Sequence, residues 1–146
     1  MEKQCVTFGI AYKLKQLGFD EECIGYFDEE YNFYEFSYYD YDRENSTISD
    51  DYGIKLCTTP LWQQAQDWLR SKKYYLFTNL YTPDGEFGYS FEIILYLNDT
   101  LHNLRNLDNS FATKYYGGIG VGRGIVFKTE REAFESGMLE VLNRVV

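Results

Sequence analysis

The stretch Tyr74-Tyr75-Leu76-Phe77-Thr78-Asn79-Leu80-Tyr81, followed by Thr82-Pro83-Asp84-Gly85 and then by Glu86 to Leu97, decides the fold. Two β-rich runs flank four turn residues. Pro presets its own φ, Asp bonds its own backbone, and Gly accepts a positive φ. The second run alternates. Phe87, Tyr89, Phe91, Ile93, Leu95 and Leu97 fall on one face of a strand. Ile94 and Tyr96 make the opposite face partly apolar, so that face is either covered or used in assembly.

Working outward, Thr58-Thr59-Pro60 announces a helix, with Thr59 as the capping residue and Pro60 at the first helical position. Leu61, Ala65, Trp68 and Leu69 form its apolar stripe. Upstream, Ile24–Phe27 and Asn32–Ser37 read as a hairpin around Asp28-Glu29-Glu30-Tyr31. Before it, residues 7–17 read as a helix capped by Thr7 and ended by Gly18. Residues 38–53 are polar and lack a period, which suggests a long, mobile acidic loop. Downstream, residues 98–110 are ambiguous. Leu101, Leu104 and Leu107 allow a short helix, while the asparagines favour irregular structure. Residues 125–127 read as a short strand. Thr129 with Glu132 offers a capping box for a last helix, with Ala133, Phe134, Gly137, Met138, Val141 and Leu142 on its buried face.

Strands therefore come as neighbouring hairpins rather than as βαβ crossovers. This predicts one α+β domain over residues 1–146, with a mainly antiparallel sheet from two hairpins plus a short strand and three helices gathered on one face. The length of 146 residues suits one domain, and 19% aromatic content supplies a large core.

Charge is uneven. The net charge is −9, and residues 20–51 hold twelve acids against the single base Arg43. This disfavours plain phosphate-backbone binding and anionic membrane surfaces. No apolar run reaches the ~18 residues of a membrane span, and the first residues, Met-Glu-Lys-Gln-Cys, lack signal-peptide character. Cys5, Cys23 and Cys57 are odd in number and widely spaced, so reduced thiols and a cytoplasmic location are the simplest expectation.

Chemistry-bearing motifs are sparse. Gly117-Gly118-Ile119-Gly120-Val121-Gly122-Arg123-Gly124 matches neither the dinucleotide fingerprint nor a Walker loop. Its amides at Gly118, Gly120 and Gly122 could still converge on an anion. Arg123 could add a bidentate contact and Lys114 a point charge. Tyr115, Tyr116 or Trp62 could stack on a base. The same glycines would equally suit a connection into an edge strand. Asp40-x-Asp42-x-Glu44-x-Ser46 with Asp51 departs from the calcium loop, having Asn45 where that loop needs Gly. The histidine and scattered cysteines lack zinc-ligand spacing. No metal and no cofactor is expected. His102, the lone imidazole, would have to serve any hydrolase, with nearby carboxylates. Tyr34, Tyr38, Tyr39, Asp40, Tyr41 and Asp42 form the core of an acidic, tyrosine-rich contact face or nucleic-acid mimic, or an ordinary solvated hairpin.

Three segments carry a resemblance: Leu17–Glu21 after the first helix, Pro60-Leu61-Trp62-Gln63-Gln64-Ala65, and Thr129–Ala133. In these the chain resembles a group of small uncharacterised proteins of Bacteroidetes and their phages or prophages. The resemblance implies a mobile-element setting, where small inhibitors and molecular sponges are frequent, and it transfers no functional residue. The expected function is a small cytosolic non-enzymatic binding protein, in its most concrete form a counter-defence protein sequestering a nucleotide-derived signal. The alternative is a protein-interaction inhibitor or nucleic-acid mimic acting through residues 20–51, and a hydrolase using His102 is third. Partners would be a nucleotide-like ligand or a host protein, with no direct nucleic-acid binding, no membrane and a possible homo-oligomer.

Overall fold

The computed structural model describes residues 2–36, 47–49, 55–81, 85, 87–116 and 126–145. It is an α+β protein with two antiparallel sheets. Its contacts fall into two compact units, which divide within one helix between Trp68 and Leu69. The single sheet expected from sequence is therefore two, and the helices are shared between the units.

The first unit begins with a 3-10 turn, Glu2–Gln4, and helix α1, Phe8–Gln16. Thr7 occupies the cap position, but its side chain makes no capping bond, contrary to expectation. The far end behaves as read. Gly18 takes φ +92°, its N–H donates to Lys15 O, and Phe19 N–H donates back to Leu14 O. This is the paired closure that satisfies the last carbonyls of a helix. Four strands follow: β1 Gly25–Phe27, β2 Phe33–Glu35, β3 Thr47–Ser49 and β4 Lys55–Thr59, in the order β2-β1-β4-β3. The β1–β2 turn forms because Asp28 Oδ1 accepts the amides of Glu30 and Asn32, and Tyr31 adopts φ +64°.

Strand β3 interrupts the stretch expected to be loop, and β4 was not anticipated at all. Thr59 ends β4 rather than capping a helix. It is fully buried, and its hydroxyl donates to Val6 O at 2.9 Å. Helix α2, Trp62–Ser71, starts two residues later than the Pro60 reading placed it, and Gln64 Oε1 accepts the amide of Leu61 instead. Ile10, Ala11, Leu14, Phe19, Phe27, Ala65 and Trp68 are buried in this unit.

The second unit is built on β5 Tyr74–Tyr81, β6 Gly88–Leu97 and β7 Thr100–Asn103, paired in that order. β5 and β6 keep one continuous register, from Tyr74 opposite Leu95 to Tyr81 opposite Gly88. Asn98 and Asp99, at φ +50° and +61°, make a two-residue turn into β7. Positive φ at both positions matches the twist of the flanking strands. The ambiguous residues thus become β7, then α3 Leu104–Leu107 and α4 Asn109–Tyr116. Of the expected short strand 125–127, Ile125 lies outside the described residues and Phe127 forms a bridge to Tyr89. Helix α5, Glu130–Leu142, starts as read, with Thr129 Oγ1 accepting Glu132 N–H at 3.1 Å. It lies on the face of Leu76, Phe91 and Ile93. Gly137 permits this approach, because a Cβ there would stand 2.5 Å from Leu76 Cδ1 and 3.0 Å from the Phe91 ring.

Candidate functional site

Strand alternation divides the second unit's sheet into two unlike faces. One carries Leu76, Phe91 and Ile93, all buried. The other carries Tyr75 and Phe77 of β5, Ile94 and Tyr96 of β6, and Leu101 and Asn103 of β7. The register sets Tyr75 opposite Ile94, Ile94 opposite Asn103, and Tyr96 opposite Leu101. Together these six side chains line an open groove of about 480 Å³. Phe77 is 48% exposed and Leu101 62%. Polar atoms edge an otherwise apolar floor. Tyr96 O–H donates to Asp99 at 3.2 Å, and the Lys73 ammonium stands 5.6 Å from the Tyr96 ring centre. Asn103 Oδ1 is engaged in accepting the amide of Arg105 at the start of α3.

The densest polar cluster joins α4 to α5. Glu140 accepts from Lys114 Nζ at 2.5 Å, from the Tyr115 hydroxyl, and from Arg144 at 2.9 Å. Arg144 also donates to Asp108 at 2.9 Å and lies over the Phe111 ring at 5.4 Å. Burial alone would raise the Glu140 carboxyl. The hydrogen bonds from Lys114 and Tyr115, with the nearby Arg144 charge, hold it below its ordinary value. Asp108 is also held low, by the Phe111 amide and by Arg144. Perturbed carboxyls often mark active sites. Here each charge meets its partner within the fold, which is the arrangement of a structural clamp.

The residues nominated from sequence scatter. Gly118, Gly120, Gly122 and Arg123 lie outside the described residues, as do Tyr38, Tyr39, Asp40, Tyr41 and Asp42, and with them the calcium-like spacing. Lys114 is committed to Glu140. Tyr115 and Tyr116 end α4 and are buried. Tyr116 donates to Phe91 O at 2.6 Å, and its ring is covered by Arg105 at 4.6 Å and approached by Phe111 at 6.0 Å. Burial, aided by Glu92 and opposed by Arg105, pushes its hydroxyl up to about 12. Neither ring keeps a face for a base. Trp62 is half-buried on the first turn of α2, in the other unit. Tyr34 stacks on Tyr26 at 5.4 Å, and its hydroxyl is bonded to Asp28.

His102 sits on β7 opposite Leu95 and makes no side-chain hydrogen bond among the described residues. A catalytic imidazole needs an orienting group. Among the described residues no group of three or more His, Cys, Asp or Glu side chains could hold a metal ion, and no helix is long and apolar enough to cross a membrane. The sequence had marked Ile94 and Tyr96 as an apolar second face. It missed Leu101 and Asn103 because β7 was not recognised, and it read Tyr75 and Phe77 as strand residues without assigning them to that face. The missed signal was Asn98-Asp99, two residues that tolerate positive φ between apolar runs.

No family model, no curated protein and no solved structure matches this chain.

Proposed function

We propose that the protein is a non-enzymatic binding protein that grips an apolar segment of a partner protein in the groove of β5, β6 and β7. The observation that supports this is the open face itself: Phe77 and Leu101 stand largely in solvent on a floor shared with Tyr75, Ile94 and Tyr96. A groove of this size falls within the range of ligand sites. Tyrosines give large contact area at low entropy cost. The same rings could serve as a base-stacking platform, but single-stranded nucleic acid also needs a basic channel. Among the described residues, the cation beside these rings is Lys73, lodged against Tyr96. A host-protein inhibitor in a mobile-element setting is the form we favour; that setting rests on the resemblance alone. The nucleotide sponge draws no support from Lys114, Tyr115 or Tyr116, which the fold itself employs.

Panning of a random peptide display library on the full chain tests the reading. The selected peptides should be rich in aromatic and aliphatic residues. They should lose binding to Leu101→Asp by about tenfold or more, as expected when a charge opposes a buried apolar contact. Enrichment that ignores Leu101→Asp, or no enrichment, would overturn it. A saturable thermal shift with a member of a nucleotide panel would restore the sponge in its place.

A further inference from the structure

The two edges of the second unit's sheet are treated differently. Tyr96 N–H donates to Lys73 O at 3.0 Å. With the continuous β5–β6 register this fixes the phase. The odd residues of β5 turn their N–H and C=O groups toward β6, and Tyr74, Leu76, Thr78 and Leu80 turn theirs outward. The far side of β6 is engaged at Tyr89, at Phe91 and from Ile94 to Leu97. β7 pairs Ile94 to Leu97, the Tyr116 hydroxyl caps Phe91 O, and Tyr89 exchanges amide bonds with Phe127 at 2.9 and 2.7 Å. Among the described residues, nothing pairs with the outer edge of β5. That edge is eight residues long, unbulged, and free of proline and of charge. Monomeric proteins ordinarily blunt such an edge with lysine, proline or a bulge.

We propose that β5 pairs antiparallel with β5 of a second copy, forming a two-fold dimer with one continuous six-stranded sheet. Parity admits only registers in which outward-turned residues meet, and of these the one centred on Phe77 keeps all four of them paired. Outward-turned residues must face each other, so Leu76 meets Thr78 of the other copy, Tyr74 meets its Leu80, and Phe77 lies on the two-fold axis against its own counterpart. Each outward pair exchanges two hydrogen bonds. The axial Phe77 pair falls at a non-hydrogen-bonded position, where side chains approach most closely and an aromatic pair is favourable. It covers the half-exposed Phe77, and on the opposite face Leu80, 61% exposed, comes to lie beside Tyr74 of the other copy.

The absence of charge along this edge fits a second copy of the chain. The net charge of −9 sets two copies against each other, yet every cross-strand pair in this register is uncharged. Glu92, opposite Phe77 on β6, would lie three strand spacings from its counterpart, about 14 Å. That exceeds the ~8 Å screening length at physiological salt. The dimer would join the two grooves edge to edge across the Phe77 pair, and Tyr75, Ile94, Tyr96 and Leu101 of each groove lie outside that pair.

Light scattering on a sizing column, with the full chain, tests the dimer. The wild type should run at twice the chain mass across micromolar concentrations. Thr78→Pro removes an outward N–H that β6 does not use, so it should yield a monomer with an unchanged circular dichroism spectrum. Should that variant misfold, Leu80→Lys should give the same monomer. Phe77→Cys should form a disulfide-linked dimer on mild oxidation, whereas Asn79→Cys, displaced from the axis, should not. A wild-type monomer, or a dimer that persists in folded Thr78→Pro or Leu80→Lys, would overturn the proposal. Leu101→Asp should leave the dimer intact, which separates this outcome from that of the groove.

Discussion

Lys15 places its ammonium nitrogen out of solvent with no hydrogen-bond partner among the described residues. Burial lowers its pKa, and Cys57 and Cys23 act weakly the other way. An unpartnered buried polar group costs stability. Lys15→Met should therefore raise the urea midpoint, by about 1 kcal/mol in unfolding free energy. A lowered midpoint would show that the ammonium has a stabilising contact. The sign with pH follows from the depressed value: between it and 10.5 the unfolded chain binds the additional proton, so stability rises with pH in that window. The three cysteines nearby are buried and not bridged to one another. Burial pushes Cys23 up to about 12, outweighing a hydrogen bond with Thr58, and raises Cys57 as well. The thiolate is the reactive form. Iodoacetamide should label Cys23 and Cys57 slowly in the native protein and readily in urea, read by intact mass; fast native labelling would contradict the burial.

At the scale of elements, α5 holds the second unit together by a close approach to β5 and β6 at Gly137. Gly137→Val would drive a branched side chain into Leu76 and the Phe91 ring. Overpacking of this kind costs about 1–3 kcal/mol, and helix propensity recovers only a fraction. The melting temperature should fall; an unchanged value would show that α5 can lift without loss. A second attachment of α5 is Glu140, whose side chain is 12% exposed. Glu140→Gln keeps the shape and removes the charge. It should cost about 1–2 kcal/mol at neutral pH, mainly through Arg144, because Lys114 is 62% exposed and its pairing is screened by solvent. Equilibrium urea unfolding measures this difference, and a variant as stable as the wild type would remove the clamp from the account.

For the molecule as a whole, acid is the informative perturbation. Asp28, Asp108 and Glu140 all have folded pKa values below their ordinary 3.8, 3.8 and 4.5. The folded state thus binds fewer protons. The stability these groups contribute is fully present above the ordinary values and is lost as pH falls through the folded ones. Urea midpoints should be level near neutrality and drop below about pH 4.5. The drop should be shallower in Glu140→Gln, and an identical slope in the two proteins would assign acid sensitivity elsewhere.

The sequence determined what depends on near neighbours. The stripe of α1 with Gly18 at its end, the Thr129 cap of α5, the Asp28 turn and the alternation of β6 all follow from side chains acting within a few residues, so they could be read directly. The buried faces of α2 and α5 were legible for the same reason. What only the tertiary structure decided depends on distant partners. β4 escaped because a five-residue strand is defined by pairing with β1 and β3, and Thr59 looks like a helix cap until Val6 supplies an acceptor. Two sheets formed where one was expected, because strand order is set by which faces can be buried together. Tyr115 and Tyr116, next to a glycine tract in the chain, were drawn into the core, since rings bury more area against Phe91 and Phe111 than they would gain in a loop. The groove exists for the complementary reason: α5 can cover just one face of the sheet, and among the described residues no element covers the opposite face, apolar in its sequence.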